Sequence, residues 1–290
     1  PVPTGALNAV LVAEATMSPM EMQTVERTLI RPFLGNGEQL PGTIYNRMEI
    51  SVELAGSGTA GTAPAIGPLL RACGFAETVT AATDVKYAPV STNFESATFY
   101  FNLDGVLHKG VGARGTVSFS FKNNDRPMAR FSFTGLFVPI ADQALPSVDL
   151  AAWKRPLPCS RTNTPTFTLH AYAAMLEDLQ IDMANDVQYR GLIGGAEFVR
   201  IVDRKPKGSV LMEAVKVADK NWWTSIQAAT SAPLQLVHGL TAGNIVQVDA
   251  PLVQLHTPRY QESQGIAMLS AETTINPGPT GNDELVLTFK

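Results

Sequence analysis

The sequence is short of the residues on which catalysis, metal binding and secretion depend. Only two cysteines, Cys73 and Cys159, occur in 290 residues, too few for a disulfide framework. Cys73 lies in an apolar helical stretch and reads as a small buried hydrophobe. Four histidines, His108, His170, His238 and His256, stand far apart, and none forms the H-x-x-x-H or H-E-x-x-H pair that holds zinc. No G-x-S-x-G elbow supports a Ser/His/Asp triad, and Asp-x-Asp calcium loops are missing. Charged residues make up 17% of the chain, with a formal net charge of -4. That balance leaves no basic patch for stable nucleic-acid binding. The longest basic cluster, Arg200 to Lys207, is diluted by Asp203 and reads as a solvated hairpin end. No apolar run approaches the roughly 18 residues of a membrane helix. The start, Pro1-Val2-Pro3-Thr4-Gly5, lacks the cationic region of a signal peptide. The expectation is a protein kept in a reducing cytosol, away from membranes, with no catalytic centre, metal or cofactor.

What the sequence does have is period-two alternation. Met48-Glu49-Ile50-Ser51-Val52-Glu53-Leu54 puts apolar residues on one face and Glu49, Ser51 and Glu53 on the other. Thr98 to Leu103 alternates and meets the turn signal Asp104-Gly105. Thr116 to Phe121 and Arg130 to Thr134 follow. These are antiparallel strands buried on one face, unlike the continuous apolar strands of parallel sheets. Helices are few: Ala65 to Cys73, with Gly74 as its C-cap, and Trp222 to Ala229, with Asp219 or Asn221 near its N-cap. Pattern fails between Val138 and Thr166, where five prolines fall, a stretch too long for an ordinary loop within a domain. The second half then repeats the order of the first: strand, short helix, run of strands. The organisation expected is a first domain over residues 1–140, a Pro-rich linker over 141–166 and a second domain over 167–290, related by an ancient duplication.

Gly56-Ser57-Gly58-Thr59-Ala60-Gly61 fits G-x-G-x-x-G, and Asp84 lies near the spacing of a ribose-binding acid. A dinucleotide site is nevertheless not expected. The preceding strand alternates, Thr62-Ala63-Pro64 separates the last glycine from the helix, and no βαβ series follows. Gly56, Gly58 and Gly61 read instead as a turn or assembly loop. Trp222-Trp223 suits a carbohydrate platform, although at a helix start one ring normally packs on the sheet. A two-domain β-sandwich that binds carbohydrate is therefore the rival reading.

Arg47 to Pro64, which runs a strand into G-S-G-T-A-G-T-A-P, and Pro68-Leu69-Leu70-Arg71-Ala72-Cys73-Gly74-Phe75 resemble the tail tube proteins of long-tailed phages. The likeness is to those of Mu-like transposable siphophages of Pseudomonas. Phe131 to Phe137 is similar to the segment closing the first domain of that family, and Val202 to Ser209 to the matching hairpin of the second. The resemblance implies a mainly β chain of two tandem β-sandwich domains, each with a short flanking helix. Their sheets would join in a multi-chain barrel of roughly two dozen strands, which leaves an open channel. It implies a structural subunit of stacked rings with six tube domains around the axis, found in the virion tail and assembled in the host cytoplasm. A chain of two such domains is then expected to form trimeric rings with pseudo-sixfold symmetry, the rival being a hexamer in which only the first copy lines the lumen. Partners would be further copies, the terminator, tape measure and distal tail proteins, and double-stranded DNA in transit without specific binding. A related tail-end or baseplate protein on the same fold is an alternative. Glu49, Ser51 and Glu53 would then face the lumen, a surface expected to be poor in cations. Loops at Ile30 to Tyr45 and Ala76 to Ser96 would reach the next ring.

Overall fold

The structure, a computed structural model, describes residues 2–290. The first half comprises α1 (Gly5–Asn8), β1 (Glu14–Glu26), β2 (Gln39–Glu53), α2 (Gly67–Ala72), β3 (Phe75–Thr80), β4 (Asp84–Pro89), β5 (Ala97–Leu103), β6 (Val106–Lys122) and β7 (Met128–Asp142). The second comprises β8 (Thr166–Leu169), β9 (Leu176–Asp182), β10 (Asn185–Arg190), β11 (Phe198–Arg204), β12 (Lys207–Glu213), α3 (Trp222–Gln227), β13 (Ser231–His238), β14 (Val246–Ser263), β15 (Ile266–Ile275) and β16 (Val286–Phe289). The chain is mainly β and its ladders are antiparallel. Alternation explains the strands: Met48, Ile50 and Val52 are buried while Glu49 is exposed. The turn between β5 and β6 has positive φ at both Asp104 and Gly105, as a two-residue hairpin demands. Both helices form where expected. Gly74 leaves α2 at φ 83, and the Asn221 side chain caps α3 by accepting from Thr224 N–H at 3.0 Å.

The strands form one sheet in the order β1-β2-β7-β6-β9-β12-β15-β14-β16-β4-β3, with β5, β13 and β8 branching from it. The hairpin β10–β11 stands apart. The sheet folds over at β14. Val246–Asp249 pairs with β16 and Val246–Gln254 with β13, whereas Val253–Ser263 pairs with β15. One strand of 18 residues thus serves both layers. The alternation shows it as two strands because Pro251 interrupts it. Proline is tolerated at a bulge, and the register against β13 shifts there, between Ala250 and Val253. A single core lies between the layers and draws on both halves, including Val52, Phe119, Phe131, Leu179, Leu236 and Leu287.

The two halves repeat one topology. The block β1-β2-β7-β6 matches the block β9-β12-β15-β14, strand for strand in sheet order and chain order. In each half a short helix follows the second strand of the block. A further strand, β5 or β13, then pairs with the first part of the next, and each of these pairings carries a register shift. Each helix is followed by a residue with positive φ, Gly74 or Ala229. The blocks join at a β6–β9 seam, where Phe119 lies opposite Ile181 and Phe121 opposite Leu179. Residues 143–165 are free of strand but are tied down. Trp153 Nε1–H donates to Ala9 O at 2.8 Å, and Cys159 and residues 124–125 exchange two backbone bonds of 2.8 Å.

Candidate assembly surfaces

The eight strands from β1 to β14 form a continuous layer with one apolar and one polar face. Glu49, Ser51 and Glu53 share the polar face with Thr16, Ser118, Ser132 and Gln180 by register. Glu49 is exposed, Glu53 is half-buried, and Ser51 is buried against Arg130, whose Nε–H donates to it at 3.4 Å. This face is not short of cations: Arg47, Lys122, Arg130 and Lys207 lie on it by register. Three of these four cations face a carboxylate, and Arg47 lies between Ser18 and Thr134. Lys122 sits opposite Asp178 and Lys207 opposite Asp182. Arg126 pairs with Glu53 at 2.6 Å and Arg130 with Glu14 at 3.5 Å. Cross-strand pairs of this kind contribute modestly to the sheet and offset much of the positive charge on this face.

The glycine loop is a joint within the chain. Gly56 N–H donates to Asn244 Oδ1 at 3.2 Å and Gly58 N–H to Gly243 O at 2.9 Å. Thr59 N–H is taken by Ser57 Oγ and Thr62 N–H by Thr59 O. Four of the loop's amides, those of Gly56, Gly58, Thr59 and Thr62, are thus already engaged. A side chain at Gly56 would collide with Gly243 O, and one at Gly61 with Ala82 N. Gly58 and Gly61 also have φ of +85° and +69°, which favour glycine. Asp84, the spaced acid, is buried in β4 beside Lys86 Nζ at 3.6 Å.

Among the described residues, two edges of the eight-stranded layer are open. β1 pairs only with β2, and beyond His256 β14 pairs only with β15. Two hairpin arms project from the layer. The continuation of β1 and β2 past Glu21 is exposed, with Leu29, Ile30, Phe33 and Leu34 at its tip. The β10–β11 arm is its counterpart in the second half, and it lies on the first half of its own chain. Asn185 Nδ2–H donates to Cys73 O at 2.8 Å and to Gly115 O at 3.0 Å. Arg114 donates to Val199 O and Phe94 O, and Tyr189 stacks on Tyr45 at 5.2 Å. Arg204, expected in a solvated hairpin end, is instead partly buried in an ion pair with the buried Glu284. The segment Ala76 to Ser96, expected as a loop, is mostly the β3–β4 hairpin.

The remaining candidates are structural. Trp222 is buried against Tyr172, and Trp223 packs on Tyr260 at 5.5 Å, so neither is a bare platform. His238 Nε2–H donates to Leu157 O at 3.1 Å, which leaves Nδ1 to accept from the Thr164 hydroxyl at 2.9 Å. Burial holds its pKa below the ordinary value. Among the described residues no group of His, Cys, Asp and Glu is arranged to hold a metal, and no helix is long and apolar enough to cross a membrane. The features that sequence reading misses are the seam and the arms. They depend on pairings between halves, which the alternation of a single strand does not encode.

A family model described as phage tail tube protein matches residues 5–288. No curated protein matches the chain. The match spans nearly the whole sequence, so the chain belongs to the phage tail tube family and is a structural subunit of the tail tube.

Proposed function

We propose that three copies of this phage tail tube protein close into a ring whose inner wall is the eight-stranded layer. The observation that carries this reading is the pair of matching four-strand blocks joined at the β6–β9 seam. The seam is one junction between tube repeats, made within the chain. Its counterpart is made between chains, the open edge of β14 from one copy meeting the open edge of β1 from the next. Aligning the repeats through their core-facing residues sets Glu14–Ser18 antiparallel to Arg259–Ser263, with Met17 across from Tyr260. Head-to-tail contacts close into rings when the rotation permits, and closure removes both edges.

The polar face then lines the channel, with Glu49, Ser51 and Glu53 toward DNA. Duplex DNA carries one charge per about 1.7 Å of axis. A wall on which carboxylates offset much of the cationic charge gives it little to adhere to. The two tube domains correspond to residues 1–140 and 167–290, and the Gly56–Gly61 loop serves assembly by fixing the angle between them. Arm tips from both halves, Leu29 to Leu34 and Leu192-Ile193, reach the adjacent ring. The reading extends to a long-tailed phage of the Mu-like siphophage type, to assembly in the host cytoplasm, and to terminator, tape measure and distal tail proteins as neighbours. Cryo-electron microscopy of assembled tubes tests it: threefold rings of three chains are expected, whereas six identical chains per ring would overturn the trimer.

A further inference from the structure

One arm of this chain is seated and the other is bare. In the β10–β11 arm, Val199 and Ile201 are 1% and 7% exposed. They lie against the end of α2 and the strand beside it, where Cys73 and Gly74 are buried in turn. In the β1–β2 arm the apolar residues Val25 and Leu40, which lie opposite each other, are 62% and 41% exposed. The end of α3 matches that of α2 in position and in its positive φ, yet Ala228 and Ala229 are exposed. The chain therefore displays two bare surfaces, and the counterparts of those surfaces cover each other elsewhere in the same molecule.

We propose that the β1–β2 arm of each chain seats its apolar face on the end of α3 and the adjoining part of β14 of a second copy. That is how the β10–β11 arm seats on the end of α2 and on β6 of its own chain. The occupant follows from the repeat. An arm packs on the half that precedes it, and for the first half the preceding one belongs to the next chain round the ring. The proposal rests on the ring reading but is separable from it, because β1 and β14 can pair whether or not the arm docks. Two bare faces on one chain are self-complementary without being self-covering, as a closed head-to-tail assembly requires.

The test uses the full-length chain. Cys73 and Cys159 are buried, and burial pushes both thiols up, Cys159 to about 11, so introduced thiols dominate labelling. Leu40→Cys and Ala229→Cys are made separately. Each should react with a maleimide in the monomer and be protected once rings form. A short bismaleimide should link the two variants only when they are assembled together. Val25→Asp with Leu40→Asp should leave monomer unfolding unchanged and raise the concentration needed for rings by roughly tenfold or more, the effect of losing one buried apolar side chain. Rings seen by negative stain in which the thiol introduced by Leu40→Cys stays reactive and no cross-link forms would overturn arm docking and leave the ring reading intact. Failure of the wild-type chain to form rings would remove both.

Discussion

Arg204 offers the sharpest test of how the second-half arm is held. Its side chain is 11% exposed and that of Glu284 is 5%. The guanidinium donates to Glu284, to Val90 O at 2.8 Å and to Asn282 Oδ1 at 3.3 Å, so it joins the arm, the C-terminal segment and the first half. Glu284 Oε2 has no partner of its own. Arg204→Met would strip the other oxygen and leave a buried carboxylate uncompensated, at a cost of about 3–5 kcal/mol. A domain has only about 5–15 kcal/mol in total. Arg204→Met with Glu284→Leu removes both charges and should recover to within about 1–2 kcal/mol of wild type, since a buried pair gains little over apolar residues of similar size. Urea unfolding of the monomer, below the concentration at which it assembles, gives the double-mutant cycle. Raising the salt should not change the cost, because buried pairs are poorly screened. The exposed pair Arg27–Glu38, at 2.7 Å, is the control, and Arg27→Met should cost under about 1 kcal/mol. A cost below about 1 kcal/mol for Arg204→Met, or one abolished by salt, would refute the reasoning.

At the glycine joint, Gly56→Ala drives a methyl into Gly243 O and should destabilise the monomer by roughly 1–3 kcal/mol. Gly58→Ala meets only the flexible Lys154 side chain at 3.4 Å and should cost about 1–2 kcal/mol through its φ of +85°; thermal unfolding ranks the two. Burial lowers the pKa of both His170 and His238, so the folded chain prefers them neutral and the unfolded chain takes up protons first. Stability should be level above about pH 6.5 and decline as pH falls through that value, and urea midpoints against pH should show His238→Asn to be less acid-sensitive. For the channel wall, Glu49→Lys with Glu53→Lys should leave tubes intact by negative stain yet slow or block DNA ejection. Normal ejection from virions carrying such tubes would remove Glu49 and Glu53 from the lumen.

Strand faces are legible in the sequence because burial on one side imposes a period of two. Ile50, Val52, Phe119 and Phe131 alternate with Glu49, Ser51, Ser118 and Ser132, and the fold keeps that division. Helix ends are legible because Gly74 and Asn221 carry local chemistry that needs no tertiary partner. β1 is not legible: Glu14 to Glu26 is an exposed edge, so little burial disciplines its pattern. Strands β3 and β10 escape for the same reason. Arg204 misleads because its neighbours in sequence, Asp203 and Lys205, are a solvent-facing pair at 3.0 Å, while its own partner lies 80 residues away. The glycine motif misleads because glycines that admit a phosphate and glycines that admit another backbone look alike in sequence. What separates them is distant: Asn244, whose Oδ1 accepts the Gly56 N–H, lies 188 residues along the chain. Together with Gly243 it takes up the N–H groups of Gly56 and Gly58.

A tandem chain changes the energetics of ring closure. The β6–β9 seam buries Phe119, Phe121, Leu179 and Ile181 almost completely, and each such side chain contributes roughly 1.5–3 kcal/mol when buried. Because the seam lies within one chain, it forms during folding and carries no cost of association. With three chains, half of the junctions in a ring of six repeats are made in advance, and the other half join three bodies instead of six. Each body avoided saves several kcal/mol of lost translational and rotational freedom. The size of the wall points the same way. Three layers of eight strands give about two dozen, and at a spacing of about 4.8 Å their circumference is roughly 115 Å, a backbone diameter near ~37 Å before strand tilt widens it. Six chains would double that diameter and leave a channel far wider than a guided duplex requires. On the proposed three-chain ring, the β14 and β1 edges need supply only the contacts that folding has not already made.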